Sequence, residues 1–195
     1  PAGAGGVCRA RHVAAGIPRG VDLVYWDYYH TDQAFYEDWI ERHRALGSEP
    51  VFASGTWTWN RFWAALPYSL AATDAALRAC KVGKLRQAFT TLWGDDSMEC
   101  HPLSAQPAIQ FFAEHGYADR VEDDLLRANF RGVCGGDFDA WVRAADLDCI
   151  PEAADPKLIR GNAGKWLLWQ DPLLALLDPL VKDLPGLKAH YERLA

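Results

Sequence analysis

The sequence predicts an α/β fold: the last strand–helix units of a larger β/α barrel, followed by an α-helical tail. Three observations predict it. Apolar, strand-like runs (Val21–Tyr29, Val51–Asn60 and Gln87–Asp96) recur at intervals of about 30 to 36 residues, with helical stretches between them. Each run ends in a burst of Trp, Tyr and carboxylate where a strand would hand over to a loop, and in a barrel those handover points converge on one face. After about Tyr117 the pattern is helical throughout. The predicted division is therefore residues 1–116 as barrel units and 117–195 as a helical domain. A closed barrel needs eight units. Three of them leave open edges and an unfilled interior, so the complementary N-terminal barrel portion is expected from another chain or another part of the same protein.

Taken in order, Ile17-Pro18-Arg19-Gly20 reads as a turn into the first strand. Thr31 is placed to cap the next helix, whose apolar stripe is Phe35, Trp39, Ile40, His43 and Leu46, stopped by Gly47-Ser48. The second strand gives way to a Trp-rich loop and a helix over Ser69–Lys81, with Leu70, Ala71, Leu77 and Cys80 inward and Gly83 at its end. The third strand centres on Phe89–Trp93. Pro102 opens a helix to about Glu114 carrying Ile109, Phe111 and Phe112. The tail reads as helices over Val121–Phe130 and Asp137–Ala145, then one long helical segment from Lys165 to Leu194. Leu167, Leu168, Leu173, Leu174, Leu176 and Leu177 exceed what one face can bury, which makes a homodimer an expected assembly.

Composition narrows the function. Half of the 195 residues are hydrophobic, enough for a sizeable core, and nine are Trp, more than a core alone requires. The net charge is -6 and Lys and Arg are scattered without a basic stripe, which argues against nucleic acid. No apolar run is long enough to span a membrane, and the opening PAGAGGVCRARHVAAG lacks the apolar core of a signal peptide and reads as a chain entered midway. Cys8, Cys80, Cys100, Cys134 and Cys149 form no CxxC and read as free thiols of a reducing, cytoplasmic setting. The competing reading is a lysosomal or secreted chain with one or two disulfides. His30, His101 and His115 lack metal-ligand spacing, and no cofactor fingerprint occurs, so neither metal nor cofactor is expected. Gly135-Gly136-Asp137 reads as a cap for the helix it precedes.

The bursts themselves carry the chemistry. In VYWDYY, pleating puts Tyr25, Asp27 and Tyr29 on one side and Trp26 and Tyr28 on the other, and one of these sets faces the barrel interior. In TWTWN, Trp57 and Trp59 share a side, with Trp63 close behind. In LWGDDSMEC, Trp93 ends the strand, and Asp95, Asp96 and Glu99 crowd the loop, where like charges raise one another's pKa unless a cation or a hydroxyl-rich ligand lies between them. Flat rings beside carboxylates suit sugars: rings cover C–H faces and acids take hydroxyls. The plain alternatives are rim tryptophans with helix-capping acids, or a structural α/β domain whose Trp residues are all core.

Several stretches resemble glycoside hydrolase family 20, the β-N-acetylhexosaminidases. LWGDD with a near Glu and Cys, then SAQPAIQFFAEHGY, resembles the family's last barrel strand and helix, and ASGTWTWN its preceding strand. FDAW and GNAGKWLLWQDPLLALLD resemble the branch with a helical C-terminal domain. The resemblance spans roughly Ile17 to Asp178. It implies TIM-barrel strands six to eight plus a helical domain, and an exo-acting retaining enzyme that removes terminal N-acetylglucosamine or N-acetylgalactosamine. In that scheme the substrate's own acetamide is the nucleophile, a Glu is the acid and an Asp orients the acetamide. It further implies that Trp57, Trp59 and Trp93 form the acetamide cage or lie beneath the sugar ring, and that Asp95 or Asp96 takes distal hydroxyls. The family's catalytic Asp-Glu pair is absent from this chain and is expected upstream. Where many members carry a Tyr after the penultimate-strand Trp, this chain has Thr58, so Tyr28 or Tyr29 is expected to hold the acetamide. The alternative function is a non-catalytic carbohydrate-binding protein or pseudoenzyme.

Overall fold

The computed structural model describes residues 20–95, 98–151, 163–176 and 178–195. Its sheet has three parallel strands in sequential order: β1 (Val24–Trp26), β2 (Val51–Thr56) and β3 (Ala88–Leu92). Tyr25 pairs with Phe52 and Phe52 with Ala88, which fixes the face each residue takes. The crossovers are α1 (Gln33–Arg44) and α2 (Leu66–Val82). Tyr25 and Phe52 point into these helices, against Tyr36 and Ile40 from α1 and Ala75, Ala76, Ala79 and Cys80 from α2. The small residues on α2 let its backbone approach the sheet, and the aromatic rings fill the space between. On the opposite face Val24 and Phe89 remain 46% and 42% exposed, so that side of the sheet is uncovered among the described residues.

A 3-10 turn at Pro102–Ala105 leads into α3 (Gln106–Tyr117), followed by α4 (Asp123–Cys134) and α5 (Phe138–Arg143). Leu126, Phe130 and Phe138 bury together against Phe111, Trp141 and Leu70, which makes the core of the tail continuous with α2 and α3. The last helices, α6 (Ala163–Trp169) and α7 (Leu184–Leu194), close a smaller cluster of Ile150, Ala163 and Leu187.

Several expectations need correction. The strands are shorter than the apolar runs, because the aromatic ends leave the ladder and become loops. The cap of α1 is Asp32, not Thr31: its carboxylate accepts from Ala34 N at 3.1 Å. α2 starts at Leu66, with Pro67 in the first turn where a missing N–H costs nothing, and Ala71 faces out. The segment from Lys165 to Leu194 is not one helix. Pro172, Pro179 and Pro185 interrupt it, and Asp183 starts α7 afresh by accepting from Gly186 N at 3.0 Å. Asp137 caps α5 as expected, accepting from Ala140 N at 2.8 Å, while Gly135, at φ 69°, ends α4. Cys80, Cys100, Cys134 and Cys149 are free thiols; Cys8 and the turn residues before Gly20 lie outside the described residues. Leu168, Leu173, Leu174 and Leu176 are exposed, and Leu177 lies outside the described residues. No described helix is long and apolar enough to cross a membrane.

His115 ties α3 to α2. Its Nδ1 meets Lys81 Nζ at 3.2 Å and its Nε2 lies 3.4 Å from Asp74. Lys81 also donates to Ala118 O (2.6 Å) and Asp119 O (3.0 Å), closing the C-terminus of α3. Burial, then the Lys81 charge, push the His115 pKa down from 6.5 to about 4. Between those values the unfolded chain binds the proton and the folded chain does not, so stability is full above pH 6.5 and falls as the pH drops toward 4. Thermal melts should show this loss, up to about 3 kcal/mol. His115→Gln should remove that part of the slope; an unchanged slope would contradict the assignment.

Candidate functional site

The three bursts meet at the C-terminal ends of the strands, where parallel sheets place their sites. Trp26 leaves β1 on the uncovered face and lies 6.2 Å from Trp93, which follows β3. Trp26 also contacts Tyr28 at 5.9 Å. Tyr28 touches Tyr29 at 4.8 Å and Trp59 at 5.2 Å. Trp57 closes the group, 4.7 Å from Trp59 and 5.4 Å from Tyr29. All six rings thus form one continuous layer drawn from all three strands. Tyr28 and Trp59 are its buried centre, at 4% and 8% exposed, while Trp93 is 41% exposed at its margin. Trp26, Tyr29 and Trp57 are half-buried.

The layer depends on Gly55. A Cβ there would come within 2.6 Å of the Tyr28 ring, so only glycine lets that ring lie on β2. A glycine inside a strand signals such an approach, and this sign was present in the sequence. Backbone and side-chain bonds fix the rest. Trp57 Nε1 donates to Tyr28 O at 2.9 Å, and Trp57 N to Ser69 Oγ at 3.0 Å. The Tyr68 hydroxyl donates to Tyr29 O at 2.5 Å, and its ring sits 4.9 Å from Trp57. Thr58 Oγ1 donates to Trp93 O at 2.7 Å, so this hydroxyl joins the β2 and β3 loops. Asn60, at φ 54°, donates from its backbone to Asp95 O at 3.3 Å.

The acids divide. Asp27 is 5% exposed, and its carboxylate accepts from Tyr29 N at 2.8 Å and lies 3.0 Å from His30 Nδ1. It therefore braces the turn that presents Tyr29. Asp95 is exposed beside the layer. Asp96 lies outside the described residues. Glu99 does not share a ligand position with Asp95: Lys165 of α6 takes it at 2.8 Å. Tyr28 and Tyr29 both have raised pKa values, chiefly from burial; for Tyr28 the adjacent Tyr29 hydroxyl adds to the rise, and for Tyr29 the Tyr28 hydrogen bond offsets part of it. Both phenols are therefore neutral at physiological pH. They can donate as well as accept, as a carbonyl ligand requires. Of the three histidines weighed as ligands, His30 serves Asp27, His115 serves Lys81, and His101 caps the Pro102 turn. A cavity of about 220 Å³ adjoins Trp93, lined by Thr58, Leu92, Gly94, Met98, Cys100 and Pro102.

Trp63 does not join the ring layer. It packs 5.6 Å from Trp141 and donates to that residue's carbonyl at 2.9 Å, which makes it core. Just before it, Asp148 is buried beneath the loop. It accepts from Phe62 N at 3.0 Å and from Trp63 N at 2.9 Å. Arg61 is 3% exposed, and its guanidinium lies 5.9 Å from the Trp57 ring centre. Burial lowers the Arg61 pKa while Asp148 raises it. Burial raises that of Asp148, and the two loop N–H groups and Arg61 draw it back down. Arg61, Tyr68 and Asp148 carry no sign in the sequence, because each meets a partner across a long stretch of chain, and Lys165 stands out only within the GNAGKWLLWQDPLLALLD resemblance.

Among known proteins, residues 139–195 match the family described as Glycoside Hydrolase 20C C-terminal domain. That span holds Asp148, Lys165 and Trp141, the residues by which the tail grips the loops after β2 and β3. No curated protein matches the chain.

Proposed function

We propose, for a chain whose C-terminal portion is that of a glycoside hydrolase of family 20, that it supplies the sugar-binding part of an exo-acting β-N-acetylhexosaminidase. In this reading β1, β2 and β3 are strands six to eight of a TIM barrel. The complementary N-terminal portion, in the same protein or a separate chain, brings the acid and the acetamide-orienting Asp. The observation that carries the proposal is the single aromatic layer assembled from Trp26, Tyr28, Tyr29, Trp57, Trp59 and Trp93 at the ends of three parallel strands.

Each role follows from position. Trp93 and Trp57 offer ring faces to the C–H surface of a terminal amino sugar and to its acetamide methyl. Tyr28 and Tyr29 bring neutral hydroxyls into the same ring layer, and one of them holds the acetamide oxygen. There it would orient the acetamide for attack of that oxygen on the anomeric carbon, while the positive charge that develops on the acetamide would be met by the Asp of the complementary portion. Asp95, exposed at the margin, accepts from distal hydroxyls. Asp27 positions Tyr29 from below. The uncovered face of the sheet, with Val24 and Phe89, is the side the remaining barrel strands would close.

Hydrolysis of a nitrophenyl N-acetyl-β-glucosaminide tests this. The 195-residue chain alone should be inactive, and activity should appear when it is joined to the polypeptide that completes the barrel. Mass spectrometry of what co-purifies with the chain identifies that polypeptide. Turnover by the chain alone would refute the proposal. The second reading is a non-catalytic sugar-binding protein built on the same ring layer. Quenching of Trp fluorescence by N-acetylglucosamine, with no turnover even in the completed particle, would establish that reading instead.

A further inference from the structure

We infer that Arg61 is a positioning residue for Trp57, and that Asp148 of the helical tail, by holding the backbone just after Arg61, lets the tail set the geometry of the ring layer. The inference rests on the sugar-binding reading for its functional consequence and on the coordinates for its structural one. Loop 57–65 carries two of the six rings and has no regular structure of its own. Its base is pinned at three points. Asp148 holds Phe62 N and Trp63 N (3.0 and 2.9 Å), Trp141 O holds the Trp63 indole (2.9 Å), and Ser104 Oγ holds Ala64 N (3.1 Å). Two of these anchors, Asp148 and Trp141, belong to the tail.

Arg61 connects this base to the ring layer. Its guanidinium is buried, is attracted by Asp148, and stands 5.9 Å from the Trp57 ring. A buried guanidinium costs desolvation energy that an aromatic face and a carboxylate together offset. A hydrophobic residue of the same length would fill the space without that cost. The cation over the ring face adds to the Trp57 indole bond to Tyr28 O in favouring one orientation of Trp57, since it is attracted to the face and not to the edge. Trp57 in turn stacks with Trp59 and bonds Tyr28 O, so its orientation is passed to the centre of the layer.

The test has two readouts. The first needs no ligand: the exciton circular dichroism of the Trp57–Trp59 pair, taken as the difference between the chain and its Trp57→Phe variant. The second is KM for the nitrophenyl glycoside, measured on the protein with its barrel complete. Arg61→Met should weaken the exciton signal and raise KM about fivefold while kcat changes less than about twofold. Arg61→Lys, which restores the charge, should bring both back toward the parent values. Asp148→Asn should shift both readouts in the direction of Arg61→Met, and it decides the matter if Arg61→Met does not fold. Parent-like exciton signal and KM in Arg61→Met overturn the inference. A changed signal with an unchanged KM overturns its link to binding. If the completed protein never cleaves the glycoside, the sugar reading falls, and the exciton signal alone still decides whether Arg61 orients Trp57.

Discussion

Trp93→Ala, made in the protein with its barrel complete, should lower kcat/KM about thirtyfold, equivalent to about 2 kcal/mol of lost transition-state stabilisation. Two effects add. The ring is 41% exposed at the margin of the layer, where it can cover a sugar, and it packs 6.2 Å from Trp26, which in turn touches the Tyr28 ring. Removing it takes away a stacking face and loosens a donor. The fold should tolerate the change, because the link between the β2 and β3 loops uses Trp93's backbone carbonyl, which alanine retains. The melting temperature should therefore move little while the specificity constant falls. An unchanged kcat/KM would remove Trp93 from the site, and a collapse in melting temperature would make it a structural ring.

Glu99→Gln should have the opposite signature. The substitution keeps the shape but removes the charge facing Lys165, whose side chain is fully buried, 2.8 Å from Glu99 Oε2. Breaking such a pair costs about 3–5 kcal/mol, because a buried charge loses its counter-charge. Glu99 keeps 18% exposure, and the Trp166 and Trp169 rings, 5.4 and 4.9 Å from the ammonium, share the charge, which places the cost near the lower value. Calorimetry should show a melting temperature lower by roughly 6–12 °C, at about 2–4 °C per kcal/mol for a chain of this size. A shift under about 2 °C would show that Glu99 is not the partner on which Lys165 depends. Added salt should change the result little, since buried pairs are weakly screened.

The contrast between these residues shows what the sequence makes legible. Strand–helix alternation announced the three parallel strands, because hydrophobic periodicity and turn chemistry are local. The clustering of Trp57, Trp59 and Trp93 followed once the strands were placed, since parallel pairing brings their C-terminal ends together. Glu99 was read as one of three crowded acids because its neighbours in sequence are acids. Its partner, Lys165, comes from a helix 66 positions later, and no local pattern encodes that meeting. Trp63 was grouped with the ring-layer tryptophans for the same reason, although Trp141 claims it for the core. The break-up of the Lys165–Leu194 segment has a local cause, the three prolines within it. Gly55 was also legible in principle, as a glycine inside a strand pattern, but its meaning depends on a Tyr from the neighbouring strand.

The two outer borders of the sheet have a practical consequence. The far sides of β1 and β3 are unpaired among the described residues, so each offers backbone donors and acceptors in register to an incoming strand. Added strands of matching register would dock on either flank, and in their absence the same flanks would recruit copies of themselves into fibrillar aggregates.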